Sequence, residues 1–276
     1  LKINQWIYFE FCKTNELIKK HIEGFRFDEA SKVLYNFVWH SYCDWYLEFL
    51  KPIFNSENKT SIIEAKQFSS YMLLNILKLL HPFVPFFSEY VWRENKFDKE
   101  DKSNLITSKW PISKQIQSHK NNSEEIKCII DIITSIRSTK VQLNVPAKEF
   151  CDIVYFDESK KIKKFIDNNL AIIKQVGRVN NIILKPLRDS SIIEIIILKE
   201  KIGLKFETNI DLSSQKDRLA NKLGELEKKI ISLDQKLNNK HYVKKAPKDI
   251  VTNDKFLLKD LKIEETKLKS IVLSII

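Results

Sequence analysis

The chain has 276 residues, of which 43% are hydrophobic, and its 47 Lys and Arg against 36 Asp and Glu give a formal net charge of +11. This length and apolar content allow two or three hydrophobic cores, and no apolar run reaches the roughly 18 residues that a membrane-spanning helix needs. The positive surplus favours a polyanion as partner, because Lys and Arg release counterions from phosphates. Lys, Ile and Asn are frequent throughout the chain, so part of the excess positive charge is also compatible with a general bias in composition.

The first region, residues 1–145, is predicted to be a helical bundle. Apolar residues recur at helical spacing over 3–22, and a second amphipathic helix follows. Asp28 is the predicted N-cap of this second helix, and Pro52 is predicted to end it. Its predicted inner face consists of Val33, Leu34, Phe37, Val38, Tyr42, Trp45, Tyr46 and Phe49.

Three more helices are predicted in the same region, over about 60–80, from Phe86 to Trp92, and over about 123–140. The polar loop between the last two is rich in Lys, Asp, Asn and Ser. We expect Trp110 and Pro111 to attach this loop to the bundle.

The second region, residues 146–211, changes to short runs rich in Ile and Val, which is typical of strands. A helical segment over 157–175 separates the first two of these runs. The order predicts a small β-α-β-β-β domain. The predicted strands are 150–156, 181–187, 192–199 and 204–208.

The third region, residues 212–276, is predicted to be an antiparallel coiled-coil hairpin. Its leucines and isoleucines from Leu212 to Leu237 are spaced mainly by three and four residues, as in a heptad seam. Residues 238–247 form the predicted tip, and Pro247 lies near the first turn of the return helix, where proline is tolerated. From residue 213 onward there are 15 Lys and Arg against 9 Asp and Glu, so over half of the net charge lies here. The predicted fold class is mainly α with one small α/β unit.

We expect no catalytic site and no metal site in this chain. Its four glycines form no nucleotide-binding motif, and its four cysteines lie far apart without metal-ligand spacing. Residues 21–24, His-Ile-Glu-Gly, only partly match the His-Ile-Gly-His signature of class I tRNA synthetases and lie at a helix end. The dispersed cysteines suit a reducing cytosol, so we expect a cytoplasmic protein.

Several segments carry a family resemblance. Residues 25–30 (Phe-Arg-Phe-Asp-Glu-Ala), 35–40 (Tyr-Asn-Phe-Val-Trp-His) and 43–48 (Cys-Asp-Trp-Tyr-Leu-Glu) resemble the anticodon-binding helical domain of valine–tRNA ligases. Residues 79–86 (Leu-Leu-His-Pro-Phe-Val-Pro-Phe) resemble a later turn of that domain. The hairpin is similar to the C-terminal coiled coil of the same family.

The resemblance implies a part of a class I ligase that joins valine to tRNA(Val) through valyl-AMP, using ATP and Mg²⁺. It places the activation and editing domains upstream of Leu1, so we expect a piece of a longer protein with no cofactor of its own. The bundle would bind the anticodon arm, and the hairpin would bind the elbow where the D and T loops meet. We expect a monomer that binds tRNA and no membrane.

The predicted contact residues combine rings for stacking with cations for phosphates. For Trp39, base stacking and core packing both remain open, and the hairpin lysines are also compatible with a solvated coiled-coil face. The predicted anticodon-arm contacts are Arg26, Phe27, Trp39, His40, Asp44, Lys51 and Arg137. The predicted elbow contacts are Lys216, Arg218, Lys222, Lys229, Lys240, Tyr242, Lys244, Lys245 and Lys248.

Two alternatives remain. The same region of an isoleucine or leucine ligase would differ in its cognate tRNA. A non-enzymatic protein-interaction module would use the coiled coil to dock another protein, and it should then carry an apolar stripe at its tip. The tip at 238–247 is instead dominated by Lys, Asn and His.

Overall fold

The computed structural model describes residues 1–97, 104–113, 117–156, 160–184, 192–197, 200–206 and 212–275. The chain divides into two compact units, Leu1–Ile130 and Asp131–Ile276. The predicted fold class is confirmed, since the described residues are mainly helical and include a small mixed sheet. The division into three domains with boundaries near 145 and 211 stays a prediction.

The first unit is a bundle of helices around an aromatic core. Trp6 packs edge-on against Phe49, with ring centroids 6.0 Å apart. The fully buried Tyr46 donates a hydrogen bond from its hydroxyl to Oδ1 of Asn4 at 2.9 Å, so its one polar atom is satisfied. The elements are α1 (Lys2–Glu23), α2 (Phe27–Asn36), the π-helix π1 (Phe37–Tyr46), α3 (Leu47–Phe54), α4 (Lys59–Leu80), α5 (Pro85–Glu94), a 3-10 turn (Leu105–Thr107) and α6 (Gln117–Gln142), in which the unit boundary falls.

Two predicted helix ends were wrong. Helix α2 begins at Phe27, and Asp28 lies in its first turn, where its carboxylate is 3.5 Å from Nε of Arg26 and does not cap the helix. Pro52 lies inside α3, which continues to Phe54. Proline removes only one backbone donor, and the amide of Asn55 still donates to the carbonyl of Lys51 at 3.1 Å.

The predicted attachment of the polar loop is confirmed. Nε1 of Trp110 donates to Oδ1 of Asn15 on α1 at 2.8 Å, and Nδ2 of the same asparagine donates to the carbonyl of Pro111 at 2.9 Å. One buried side chain therefore fixes two consecutive residues of the loop. Residues 98–103 and 114–116 of the predicted loop lie outside the described residues.

The second unit contains a four-stranded sheet with strand order β2-β1-β4-β3. Strands β1 and β2 are parallel, which requires a crossover connection, and the two other pairs are antiparallel. The predicted β-α-β-β-β order is confirmed, with two short helices in place of one. The elements are β1 (Cys151–Tyr155), α7 (Lys160–Asn168), α8 (Leu170–Gly177), β2 (Val179–Leu184), β3 (Ile192–Ile197) and β4 (Glu200–Phe206).

The predicted hairpin is present as α9 (Leu212–Asn238), a short tip helix α10 (Lys240–Lys245) and α11 (Lys248–Ile275). Its seam buries apolar side chains from both long helices, and α11 also packs against β3. Pro247 directly precedes α11, and its carbonyl accepts from the amide of Ile250 at 3.0 Å. The buried seam residues are Leu219, Leu226, Ile230, Leu268 and Val272.

None of the four cysteines, all of which lie in the described part of the chain, forms a disulfide bond. Burial raises the pKa of Cys12 and raises that of Cys151 to about 11, so these two thiols are neutral at pH 7. Among the described residues, no helix is long and apolar enough to cross a membrane, and no group of three or more His, Cys, Asp or Glu is placed to hold a metal.

Two glycines give opposite predictions for stability. A Cβ on Gly203 of β4 would lie 2.3 Å from Cγ2 of Ile192, whereas a Cβ on Gly224 of α9 would meet nothing within 4 Å. We expect Gly203→Ala to lower the free energy of unfolding by about 1–3 kcal/mol through overpacking. The control Gly224→Ala should raise it by about 1 kcal/mol, because alanine favours a helix. Urea denaturation followed by circular dichroism measures both, and an unchanged midpoint for Gly203→Ala would contradict the close packing.

Candidate nucleic-acid interface

The corner between α1 and α2 exposes two phenyl rings around an arginine. Phe25 is 85% exposed and Phe27 is 52% exposed. Phe25 also has a φ of 57°, in the left-handed region that is unfavourable for side chains other than Gly and Asn. The predicted Arg26 lies between them and is within 3.5 Å of carboxylates of Asp28 and Glu29. The sequence prediction missed Phe25, since nothing in a helix-breaking Gly-Phe pair shows which residue takes the left-handed conformation.

A pair of parallel aromatic rings lies where α2 meets π1. The rings of Tyr35 and Trp39 have an interplanar angle of 4° and centroids 6.2 Å apart. Both are more than half exposed, Tyr35 at 58% and Trp39 at 52%. Trp39 therefore presents a large ring surface outside the bundle core. Tyr35 was not predicted, although its spacing of four residues from Trp39 places both on one helical face.

These two rings border a pocket of about 170 Å³. Its lining is largely apolar and includes Leu34 and Val38 from the same helical run, and Leu80, Phe83 and Val84 from the end of α4 and the following turn. A cavity of about 150 Å³ accommodates benzene. The pocket therefore has room for one planar ring beside the exposed face of the aromatic pair.

A polar pair lies next to the aromatic pair. Nδ1 of His40 is 3.1 Å from Oδ2 of Asp44, and both side chains are largely exposed. The imidazole is also edge-on to Tyr35, with centroids 6.2 Å apart. Predicted contacts Trp39, His40 and Asp44 are thus brought together on π1. Such a group combines a stacking surface with hydrogen-bond donors and acceptors, as single-stranded RNA loops require.

Two other predicted contacts of the anticodon arm, Lys51 and Arg137, lie on other helices. Lys51 is exposed on α3, about three turns beyond Trp39, and its ammonium pairs with the carboxylate of Glu48. Arg137 belongs to the second unit, where it is exposed and donates one guanidinium N–H to the carbonyl of Val176 at 3.1 Å. The nearby Lys140 is buried and donates to the carbonyl of Glu149, and burial lowers its pKa.

The hairpin presents most of its predicted cations to solvent. Arg218 and Lys229 are exposed on α9, and Lys244 and Lys245 are exposed on the tip helix. Lys222 lies 3.6 Å from Oε1 of Glu264, so it forms an ion pair across the hairpin. The side chains of the other predicted cations, Lys216, Lys240 and Lys248, lie outside the described set.

Tyr242 contacts two charged side chains at the hairpin tip. Its hydroxyl donates to Oδ2 of Asp254 on α11 at 2.7 Å, and Nζ of Lys236 lies 4.7 Å above its ring. The same ammonium is 2.9 Å from Oδ2 of Asp254. We call Lys236, Tyr242 and Asp254 the tip clasp, because they join α9, α10 and α11. The ring that we predicted to stack on RNA is half-buried and has a lysine above it.

The ionisation of the tip clasp agrees with this geometry. The hydrogen bond from Lys236 lowers the pKa of Asp254, and the same bond raises the pKa of Lys236. Both groups are therefore charged at neutral pH. The clasp was not predicted, because it pairs residues separated by the whole tip segment.

Two family models match the chain. The anticodon-binding domain of tRNA ligase matches residues 4–155, which contain the aromatic pair and its pocket. The valyl tRNA synthetase tRNA binding arm matches residues 211–274, which contain the hairpin. The chain therefore belongs to the anticodon-binding domain family of tRNA ligases.

Similar curated proteins are valine–tRNA ligases, and the chain corresponds to their C-terminal part. That of Pelagibacter ubique is 37% identical over 262 residues, which is 95% of this chain and 30% of the relative. That of Agrobacterium fabrum is 30% identical over 271 residues, covering 98% of this chain and 28% of the relative. The chain thus spans less than a third of the relatives it matches, and the predicted family resemblance is confirmed.

The tip clasp gives a prediction about local order. We expect Tyr242→Phe, which removes only the hydroxyl, to accelerate amide hydrogen exchange in α10, because the bond to Asp254 is lost. The matched control Lys244→Gln, which changes an exposed neighbour, should leave exchange unchanged.

The tip clasp also gives a prediction about pH. Because the pKa of Asp254 is lowered in the folded protein, the stability that this carboxylate contributes is fully present above the usual carboxyl pKa of about 3.9. This stability is lost as pH falls through the lowered pKa of the folded state. NMR signals of the Tyr242 ring that stay constant across that pH range would contradict the clasp.

Proposed function

We propose that this chain is the tRNA-binding C-terminal part of a valine–tRNA ligase, with the first unit binding the anticodon arm and the hairpin binding the elbow of tRNA(Val). The observation that supports this most directly is the exposed pair Tyr35 and Trp39 beside an apolar pocket, in a domain of the anticodon-binding family. A base that leaves the anticodon loop can stack on such rings, and His40 and Asp44 lie close enough to bond its edge.

The role of the chain in the reaction is positioning. Binding energy from two remote parts of the tRNA helps to hold its acceptor end in the active site. The chain would therefore lower the barrier of the reaction without contacting the reacting atoms. We assign the ATP and Mg²⁺ chemistry to the parts of these ligases that the chain does not match. We keep the expectations of a cytoplasmic monomer and of a bundle, a small α/β domain and a tRNA-binding arm as three domains.

Two exposed apolar side chains near the tip bear on the alternative that the hairpin docks another protein. Val243 at the tip is 38% exposed and Ile250 on α11 is 47% exposed, but the tip also exposes Lys244 and Lys245. Cations around a small apolar surface suit the loops of an RNA elbow. Salt dependence distinguishes the two partners, because only phosphate contacts release a condensed counterion layer.

The stacking role of Trp39 can be tested with a matched aromatic control. We expect Trp39→Ala to weaken binding of a tRNA(Val) transcript by roughly 1–3 kcal/mol, because it removes a stacking surface. Phe86→Ala removes a phenyl ring that is 91% exposed on α5 and should leave affinity unchanged. Filter binding measures both affinities, and an equal loss in the two variants would reject a specific base site.

The elbow contact can be tested at the tip. We expect Lys244→Glu with Lys245→Glu to weaken tRNA(Val) binding with unchanged helix content, since both side chains are exposed. A salt series with tRNA(Val) and tRNA(Ile) transcripts tests the proposal itself. The RNA function would be rejected if no binding is measured or if the binding does not depend on salt. Equal affinity for both transcripts would remove the assignment to valine.

A further inference from the structure

A second basic surface lies on the hairpin, away from its tip. Strand β3 and helix α11 enclose an open groove of about 620 Å³. Its apolar lining includes Ile196 from β3 and Leu258 and Ile263 from α11. Ile263 is 47% exposed, so part of this apolar surface is open to a ligand.

Four lysines of α11 line the same groove: Lys255, Lys259, Lys262 and Lys267. They extend along about 18 Å of the helix axis, at 1.5 Å per residue. Lys262 is 3.3 Å from Oδ1 of Asp234. The other three form no ion pair with any residue that the structure describes, and no carboxylate is among the described residues lining the groove.

Two carboxylates of α11 are paired within the hairpin. Asp254 and Glu264 pair with lysines of α9 at 2.9 Å and 3.6 Å. At 100° per residue, Asp260 lies about 20° from Lys267, so one carboxylate shares the groove side of the helix with the lysines. The groove side of α11 therefore carries more lysines than carboxylates.

An aromatic ring lies on the same side of α11 as these lysines. Phe256 is 61% exposed, and its spacing from Lys259 and Ile263 places it on the groove side of α11. Unpaired lysines interleaved with an exposed ring and apolar surface are the combination that binds nucleic-acid strands, through phosphates and stacked bases.

We propose that this groove binds a short stretch of RNA, with phosphates at Lys255, Lys259 and Lys267 and a base or ribose against Phe256. This inference rests on the proposed tRNA-binding function and adds a second contact to that of the hairpin tip. The apolar lining would contact the sugar edges of the same strand. An acidic helix of a partner protein is the alternative occupant that the test separates.

The test compares two double variants of the whole chain in a salt series with tRNA(Val). Lys259→Gln with Lys267→Gln removes two groove cations and keeps most of their aliphatic stems. Each lost phosphate contact reduces the magnitude of the negative slope of log K against log salt by about 0.7–0.9. We therefore expect this magnitude to fall by about 1.4–1.8 and the affinity at 0.1 M salt to fall roughly 25- to 60-fold. The control, Lys164→Gln with Lys228→Gln, changes two exposed lysines outside the groove and should alter neither quantity.

The outcomes separate the two proposals. Absence of salt-dependent tRNA binding by the unaltered chain would overturn the proposed function. Normal binding by the unaltered chain and an unchanged slope in the groove variant would overturn the groove alone. Phe256→Ala should weaken binding with an unchanged slope, and unaltered affinity would remove the ring from the site. A poly-glutamate peptide that binds the unaltered chain but not the groove variant, without displacing tRNA, would assign the groove to a protein and overturn the proposal.

Discussion

The winding of ten residues as a π-helix, Phe37–Tyr46, determines what the first unit presents to a partner. A π-helix bonds i to i+5, so its turn is wider than that of an α-helix. Its buried residues, Phe37, Tyr42 and Tyr46, are accordingly five and four positions apart. Trp39 and Asp44 fall between these positions and face outward. The site and the core of the bundle are thus two faces of one irregular helix, and π-helical turns are frequent at functional sites.

Aromatic packing stabilises this unusual helix from the core side. The rings of Tyr42 and Tyr46 stack with centroids 5.5 Å apart, and the hydroxyl of Tyr46 bonds to Asn4 of α1. Burial raises the pKa of Tyr42 to about 12, so the ring is neutral at every physiological pH. The neutral rings supply the packing energy that offsets less favourable backbone bonds.

Sequence periodicity predicted the parts of the fold that follow regular repeats. The heptad seam, the short strands and the attachment of Trp110 to the bundle all depend on local spacing or on one large side chain. The inner face of the second helix was only partly predicted, because the 3.6-residue period also includes Val38 and Trp45, which the π-helix leaves half-buried. The wide turn has no counterpart in a hydrophobicity pattern.

The candidate sites show the same limit. Trp39, His40 and Asp44 were identified through a family resemblance, and the structure brings them together on π1. Tyr242 was assigned to stacking because a tyrosine at a polar tip lacks an evident core, whereas its partners come from both long helices. The groove on α11 was not predicted, since spacing defines the faces of a helix but not which strand it packs against.

The packing of α11 on β3 also has a mechanical consequence. About 30 Å of hairpin extends from Lys267, near β3, to the tip at Pro247, at 1.5 Å per residue. Since the hairpin is anchored at the sheet, a rotation of about 5° at this anchor moves the tip by about 2.5 Å. A hydrogen bond tolerates only a few tenths of an ångström. The accuracy with which the tip meets its partner is then set by side chains at the sheet, well removed from the contact itself.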